Sequence, residues 1–354
     1  MATADTYTIT LHDPRKDTDE EIAERVEYLN RQSEEVLPGE PPWPVEVAIA
    51  STRATPERLK LWSFRAWADG SMVGHADVGF DLENDTNPDL MGCGVQVDAA
   101  HRRNGLGSRL FGELVKVARA EDRTRIVSDT NERIPGGAAF AEAVGATSKQ
   151  DMHMNRLLIE DVDRPMLEQW VADGPVRAEG YELIAWDGAV RDEWLDQYVK
   201  TFLVMNTAPH DDLERNDFTF SPAEARERDE QLAAAGTEQW TIVARRISDG
   251  SWAGFHDVYW APHDGNVVYV GATGVDPEHR GHALGKWLKA AMTLRIMDER
   301  PQVTEIRTGN ADSNDAMLGI NKQMGYKPFI AQRLWEISTN DAEAWLRTRG
   351  VLTD

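Results

Sequence analysis

Three blocks of this chain recur in the same order about 180 residues further on, and a repeat held in register over that span constrains the chain to two copies of one fold. Residues 69–78 match residues 249–258 at six of ten positions, with Asp69, Gly70, Gly74 and Asp77 returning as Asp249, Gly250, Gly254 and Asp257. β-like runs at 61–67 and 240–246 precede these blocks and further runs follow them, which makes each Asp-Gly a hairpin turn. Residues 97–107 align with 275–285 at an offset of 178. Each comes off a strand, 91–97 or 267–275, and runs into an amphipathic helix. Leu106, Leu110, Leu114 and Val117 share one face of the first helix, and Leu284, Trp287, Leu288 and Ala291 one face of the second. Residues 140–145 correspond to 320–325, with Gly145 and Gly325 as helix C-caps, and a strand and short helix around Trp170 and Trp345 follow.

The boundary between copies falls near Asp173-Gly174-Pro175, a turn signal, which gives domains 1–173 and 174–354. The amino-terminal part of each copy is helical and differs most. Thr18 and Glu21 form a capping box ahead of Ile22, Val26 and Leu29. Its counterpart at 191–202 is followed by an irregular stretch, 205–220, and a helix start at Ser221-Pro222.

A chain of 354 residues with 41% hydrophobic content suits two domains, each with its own core. No run approaches the roughly 20 apolar residues of a membrane span. Residues 1–11 lack the charged region and apolar core of a secretory signal. A single cysteine, Cys93, excludes an internal disulfide and a multi-cysteine metal site, and sits on an apolar strand as a small buried residue. These features point to the cytosol and to no metal. A net charge of −23 argues against a nucleic-acid partner. It would attract a cationic amine, and it also serves simply to keep a protein soluble. Trp62, Trp67, Trp240, Trp252 and Trp260, on expected strands, read mainly as core.

The element with chemistry is the strand–small-residue turn–helix. Such a turn leaves backbone N–H groups unpaired at a helix start, and with the helix dipole they form an anion site suited to phosphate. Arg102, Arg103, Arg280 and Lys286 would add charge-assisted contacts. The alternative is a purely structural junction, less economical for two copies in register. Residues 281–287 are one residue short of a Walker A loop and lack its Ser/Thr, and no third glycine after Gly105 and Gly107 completes a dinucleotide fingerprint.

Arg102-Arg103-Asn104-Gly105-Leu106-Gly107 resembles the Arg/Gln-x-x-Gly-x-Gly/Ala signature of the GNAT superfamily of acyl-CoA-dependent N-acyltransferases, and Arg280-Gly281-His282-Ala283-Leu284-Gly285 is similar, with Ala283 in place of the middle glycine. Residues 307–326 resemble that family's later coenzyme-side strand and helix, ending in Gly325-Tyr326. The resemblance covers nearly all of both halves, and the tandem layout is similar to that of mycothiol synthase and related actinobacterial double-GNAT proteins. It implies an α/β (α+β) architecture of two tandem domains, each a mixed, mostly antiparallel central sheet flanked by helices. It also implies acetyl-CoA as acyl donor. The loop residues Arg102, Arg103, Asn104, Gly105, Gly107, Ser108 and Arg280, Gly281, His282, Ala283, Gly285, Lys286 would hold its pyrophosphate, and the backbones of Val95, Val97, Thr273 and Val275 its pantetheine arm.

Amide formation from a thioester needs a neutral amine, a donor for the thioester oxygen and an outlet for the thiolate, and positioning supplies much of the rate. In the second copy Asn314 and Asn321 lie two helical turns apart, and with Asn310 their amides suit a pantetheine arm. The alternative is that Asn310 caps the helix and Asn314 faces solvent in its first turn. Many family members carry a tyrosine acid where Asn321 stands. In the first copy Ala141 takes that position, which makes it a coenzyme-binding or scaffold copy and the second the catalyst. His256 and Tyr269, both specific to the second copy, are the candidate bases; a lone histidine is also a common structural residue. Asp77 and Asp257 recur together, so a shared structural role is expected for both. The stretch 206–214, with Asp211, Asp212 and Glu214, either roofs an acceptor pocket or is a solvated loop.

The expected function is transfer of an acetyl or short acyl group to a small-molecule amine, by a protein that is a monomer or homodimer. The alternatives are a non-catalytic acyl-CoA-binding or regulatory protein, and a peptidyl-type transferase using aminoacyl-tRNA, against which the acidity counts.

Overall fold

The computed structural model describes residues 7–353, so the first six residues of the 1–11 stretch read for a secretory signal lie outside them. Strand β1 (Thr8–His12) leads into helices α1 (Asp19–Val36) and α2 (Val45–Arg53). The hairpin strands β2 (Leu59–Ala68), β3 (Ser71–Asp81) and β4 (Leu90–Val97) follow, then α3 (Leu106–Ala120), β5 (Arg125–Asn131), α4 (Pro135–Val144), β6 (Thr147–Leu158) and α5 (Arg164–Arg177). The second copy gives β7 (Tyr181–Asp187), α6 (Leu195–Phe202), α7 (Pro222–Ala234), β8 (Glu238–Arg246), β9 (Trp252–Trp260) and β10 (Val267–Val275). It ends with α8 (Leu284–Glu299), β11 (Glu305–Ala311), α9 (Asp315–Met324), β12 (Lys327–Ser338) and α10 (Thr339–Thr348). Among the described residues no helix is long and apolar enough to cross a membrane.

The chain forms two compact units whose limits cross the repeat boundary at 173/174. Unit one holds the residues up to 151, 212–216 and those from 332 on; unit two holds 152–211 and 217–331. In unit one the strand order is β1-β2-β3-β4-β5-β12, and in unit two β7-β8-β9-β10-β11-β6. Within each, only β4–β5 and β10–β11 are parallel. The last strand and helix are thus exchanged between copies. Met152–Leu158 of β6 pairs antiparallel with β11, while Gln332–Ser338 of β12 pairs antiparallel with β5.

Local chemistry explains the elements. Thr18 and Glu21 make the reciprocal capping box at α1, and Ser221 and Glu224 make one at α7. Gly145 and Gly325 close α4 and α9 in the left-handed region, at φ +88° and +100°. Asp69 and Gly70, both left-handed, form a two-residue hairpin between β2 and β3. The β8–β9 hairpin is longer, closed by Arg246 N donating to Ser251 O at 2.7 Å, and the repeat offset falls from 180 to 178 where the β9–β10 connection is two residues shorter than its β3–β4 counterpart.

In unit one, Leu106, Leu110, Leu114 and Val117 of α3 bury against Phe64, Ala76 and Val78 of the sheet and Leu346 of α10. Each fully buried leucine contributes about 1.5–3 kcal/mol. In unit two, Leu284, Trp287 and Leu288 are buried, Ala291 only partly, and burial extends to Met292 and Ile296. Trp240 and Trp252 are core residues, whereas Trp62, Trp67 and Trp260 are half-buried. Cys93 packs against the first core, and burial pushes its thiol up to about 12.

The turn expected at Asp173-Gly174-Pro175 does not form. Helix α5 runs through to Arg177 with Pro175 inside it. Gly174 is a contact residue: a Cβ there would meet the Trp287 ring of α8 at 2.4 Å. Gly174→Ala should therefore cost about 2–3 kcal/mol through overpacking, read as a lower urea midpoint, and an unchanged midpoint would refute this contact.

Candidate active site

The parallel strand pairs part almost as soon as they form. Leu90–Gly92 pair with Arg125–Val127, after which β4 and β5 separate. Val267–Tyr269 pair with Glu305–Arg307, after which β10 and β11 separate. Asp98 N donates to Val73 O and Asp276 N to Ala253 O, each at 2.9 Å. Alternation along the strand therefore turns the N–H and C=O groups of Val95 and Val97, and of Thr273 and Val275, toward the gap in their own unit.

At the mouth of each gap lies the small-residue turn. Among the described residues, no acceptor takes the amides of 103–108 or 281–286; the first helical bonds are Arg109 N to Gly105 O and Trp287 N to Ala283 O, each 3.1 Å. No side chain caps either helix. Both turns use the left-handed region at the same two steps, Arg103 (φ +63°) and Gly105 (+82°) in one, Gly281 (+88°) and Ala283 (+57°) in the other. Each copy thus has glycine at one step and holds a side chain at about 1 kcal/mol of strain at the other.

Arg102 and Arg280 act as braces. Arg102 Nε donates to Val97 O at 2.9 Å and its guanidinium pairs with Glu35 at 2.5 and 2.6 Å. Arg280 Nε donates to Val275 O at 3.1 Å and its Nη2 to Thr207 Oγ1 at 2.7 Å. Lys286 Nζ donates to Gln323 Oε1 at 2.7 Å, and His282 lies against the Tyr181 ring. Arg103, Asn104, Gly105, Gly281 and His282 are exposed; Gly107, Ser108, Ala283 and Gly285 are half-buried. Sequence reading missed Glu35 and Thr207, and also Tyr7 and Tyr181, whose hydroxyls bond His101 Nδ1 (3.2 Å) and His279 Nδ1 (2.8 Å) just before each turn. The paired tyrosines are the one signal that was available.

The three asparagines divide. Asn321 Nδ2 donates to Asn310 Oδ1 at 2.8 Å, and the buried Asn321 Oδ1 has no partner among the described residues. Asn314 is the N-cap of α9, its Oδ1 accepting Met317 N at 3.3 Å, so it does not share a helical face with Asn321. The sequence alternative had placed Asn310 at the cap; the helix starts one turn later.

The candidate bases are both engaged. His256 is 2% exposed, with Nδ1 2.7 Å from Thr273 Oγ1. Burial, helped by the charge of Lys289, holds its pKa well below the ordinary histidine value. Lys289 itself is fully buried over the Tyr326 ring, its Nζ without a hydrogen-bond partner among the described residues, and burial lowers it to about 8. Tyr269 OH accepts from Arg307 Nη1 at 3.3 Å, and Arg307 pairs with buried Glu305 at 2.6 Å.

Asp257 is fully buried and accepts from Ala272 N (2.5 Å) and Tyr259 OH (3.0 Å), the structural role expected of it. Asp77 does not share that role: its side chain is 60% exposed. The loop after α6 is divided between the two units. Val204 and Met205 pack over Gly274, and Asn206 clasps the backbone of Phe218, but residues 212–216 belong to unit one, where Glu214 O accepts from Arg125 Nη1 at 2.9 Å. Asp211, Asp212 and Glu214 are exposed, as in the solvated-loop alternative. His12, Asp17 and Glu21 come within metal-ligand reach of one another, but the Arg65 guanidinium already pairs with Asp17.

The two buried histidines predict a pH dependence. His75, bonded to Ser63 Oγ at 2.9 Å, is lowered to about 3 by burial, and His256 is lowered likewise. Below the unfolded value near 6.5 the unfolded chain binds protons that the folded chain refuses, so stability is full above about pH 6.5 and lost as pH falls. Each histidine should cost up to about 1.4 kcal/mol per pH unit between 6.5 and 5, and His256→Asn should flatten the slope in unit two. Equal slopes for wild type and variant would contradict the buried neutral ring.

Compared with known proteins, residues 24–145 and 207–326 each match the family model described as the acetyltransferase (GNAT) family. The chain is 26% identical over 267 residues to a mycothiol acetyltransferase of Salinispora tropica, covering 75% of this chain and 77% of that one. It is 25% identical over 268 residues to the corresponding protein of Salinispora arenicola, with the same coverage. Among solved structures it resembles a tandem GNAT protein from the clavulanic acid biosynthesis pathway, with TM-score 0.75, 22% identity and coverage of 94% of this chain and 98% of that one. A GCN5-related N-acetyltransferase of Sphaerobacter thermophilus matches with TM-score 0.64, 14% identity and coverage of 96% and 97%.

Proposed function

The chain belongs to the GNAT acetyltransferase family, and from that premise we propose that it moves an acetyl group from acetyl-CoA to a primary amine of a small molecule by direct attack in a ternary complex. The observation that carries this reading is the meeting of two sets of backbone groups at one end of each gap: the parted strand edges, which have no ladder partner and of which the braces take only the Val97 and Val275 carbonyls, and the free turn amides. A pyrophosphate fits the amides and helix dipole, and an amide-bearing arm fits the strand edges. In unit two the amides of 281–286 would take the pyrophosphate and Thr273 and Val275 the pantetheine. Asn321 Oδ1, buried without a partner, would accept from the coenzyme's amide or thiol end. Unit one offers the same cradle at 103–108, Val95 and Val97. Acetyl-CoA supplies an activated thioester, so no covalent enzyme intermediate is required.

The likeness to mycothiol acetyltransferases supports a small-molecule acceptor over a protein terminus. A second reading, acyl-CoA binding without transfer, draws on the engaged state of His256 and Tyr269 in unit two. Thiol release on mixing acetyl-CoA with a panel of primary amines separates them: transfer predicts amine-dependent release, and silence with tight acetyl-CoA binding supports the second reading. Gly285→Glu, which adds a negative charge in the first turn of α8 and sets its Cβ 3.2 Å from Ile320 Cδ1 beside the cleft strand residue Val275, should weaken acetyl-CoA binding in unit two at least about tenfold. Unchanged affinity would overturn the assignment of that cleft.

A further inference from the structure

Asp77 and Asp257 occupy equivalent places in the repeat, each on the central hairpin strand opposite a hydroxyl residue, Ser63 and Thr241. Their surroundings differ. In unit two the β10 ladder shifts between Val270 and Thr273, and Ala272 N turns onto the Asp257 carboxylate at 2.5 Å. Tyr259 and Gln239 complete the enclosure, and Val204 and Met205 cover Gly274 of the same strand. No substrate can reach Asp257 there.

In unit one the β3–β4 register is regular from Gly74–Val97 to Val78–Cys93, and no β4 amide is diverted to Asp77. The Asp77 carboxylate lies over Gly94, so close that an added Cβ would meet Oδ1 at 3.0 Å. Gly94 stands beside Val95, whose N–H and C=O face the first cleft, so the carboxylate overhangs the strand that lines the gap. Among the described residues its polar contact is His75 Nδ1 at 3.5 Å, and its side chain remains 60% exposed. His75 is itself held by Ser63, and Arg25, the nearby cation, is committed to Thr52 Oγ1 at 3.1 Å. The recess raises the carboxyl above its ordinary pKa despite this exposure, mainly by desolvation, which makes it a better proton acceptor.

We propose that unit one carries an acetyl-acceptor site of its own, in which the Asp77 carboxylate binds a primary ammonium beside the first cleft and takes its proton as the amine attacks the thioester. This rests on the reading that the first cleft holds acetyl-CoA. The ammonium gives one proton to Asp77, the nitrogen lone pair forms the bond to the carbonyl carbon, and the carbon–sulfur bond breaks with its electrons going to sulfur. Two protons remain on the collapsing nitrogen, of which one is lost to solvent, and the thiolate takes a proton from solvent. Asp77 then releases its proton to solvent, leaving amide, free coenzyme A thiol and one net proton. Ala141, which deprives this unit of the asparagine pair, removes a coenzyme contact but not the base.

The test uses the full chain with Gly285→Glu, which disables the second cleft, and reads thiol release from acetyl-CoA with 1,4-diaminobutane, glucosamine and glycinamide. Release with at least one amine is expected to persist. Adding Asp77→Asn should lower it at least tenfold while acetyl-CoA affinity of the first cleft stays within twofold, and Asp77→Glu should restore part of it. Release that is absent in Gly285→Glu although acetyl-CoA still binds, or release that Asp77→Asn leaves intact, would overturn the acceptor site alone. Loss of all acetyl-CoA binding in Gly285→Glu would instead show that the first cleft holds no coenzyme, which fails the cofactor reading on which the site depends. Because Asp77 is exposed and weakly bonded, the thermal midpoint of Asp77→Asn should match that of its parent.

Discussion

The proposed clefts of this protein follow from parallel strands that stop pairing after three residues. Extending the β4–β5 and β10–β11 ladders would satisfy several more backbone groups, each worth about 1 kcal/mol net. The chain forgoes those bonds in both units and sets the unpaired amides of the following turn at the same end of the gap. A soluble fold tolerates such unpaired edges where water or a ligand with matching groups can reach them. The result in each unit is a slot with donors and acceptors along its walls and unpaired turn amides at its mouth.

The turn is held open by side chains that do not themselves need to touch a ligand. Arg102 and Arg280 tie the last strand carbonyl to the start of the turn and are then clamped from outside, by Glu35 in one unit and Thr207 in the other. The hydroxyls of Tyr7 and Tyr181 fix the histidines that precede the braces. Different clamps produce the same backbone path, with the two left-handed steps at equivalent positions although the glycines are not. The path, rather than any one residue type, is what the two copies share.

Local features were legible because their chemistry is local. The capping boxes, the glycine C-caps, the apolar face of α3 and the strand limits around Val97 and Val275 could all be placed from spacing and residue type. The exchange of β6 and β12 could not, since two copies of one pattern present equivalent partners and nothing in either strand's alternation selects one. Gly174 was misread because a glycine demanded by the face of Trp287 looks, in sequence, like a glycine demanded by a turn. Asp77 and Asp257 stand at equivalent places in the repeat and are opposite in exposure, because a ladder shift fifteen residues beyond Asp257 and the packing of Val204 decide it. His256 and Asn314 were legible as polar residues near the site, but their hydrogen bonds to Thr273 and Met317 are tertiary and capping facts.

Two slots built alike should take the same ligand, and the stoichiometry of acetyl-CoA binding tests that most directly. Isothermal calorimetry on the full chain should give two acetyl-CoA molecules per chain, with Gly107→Glu and Gly285→Glu each removing one and the double variant removing both. A stoichiometry of one that Gly107→Glu leaves unchanged would reduce unit one to scaffold, and no binding at all would contradict the reading of the parted strands as coenzyme clefts.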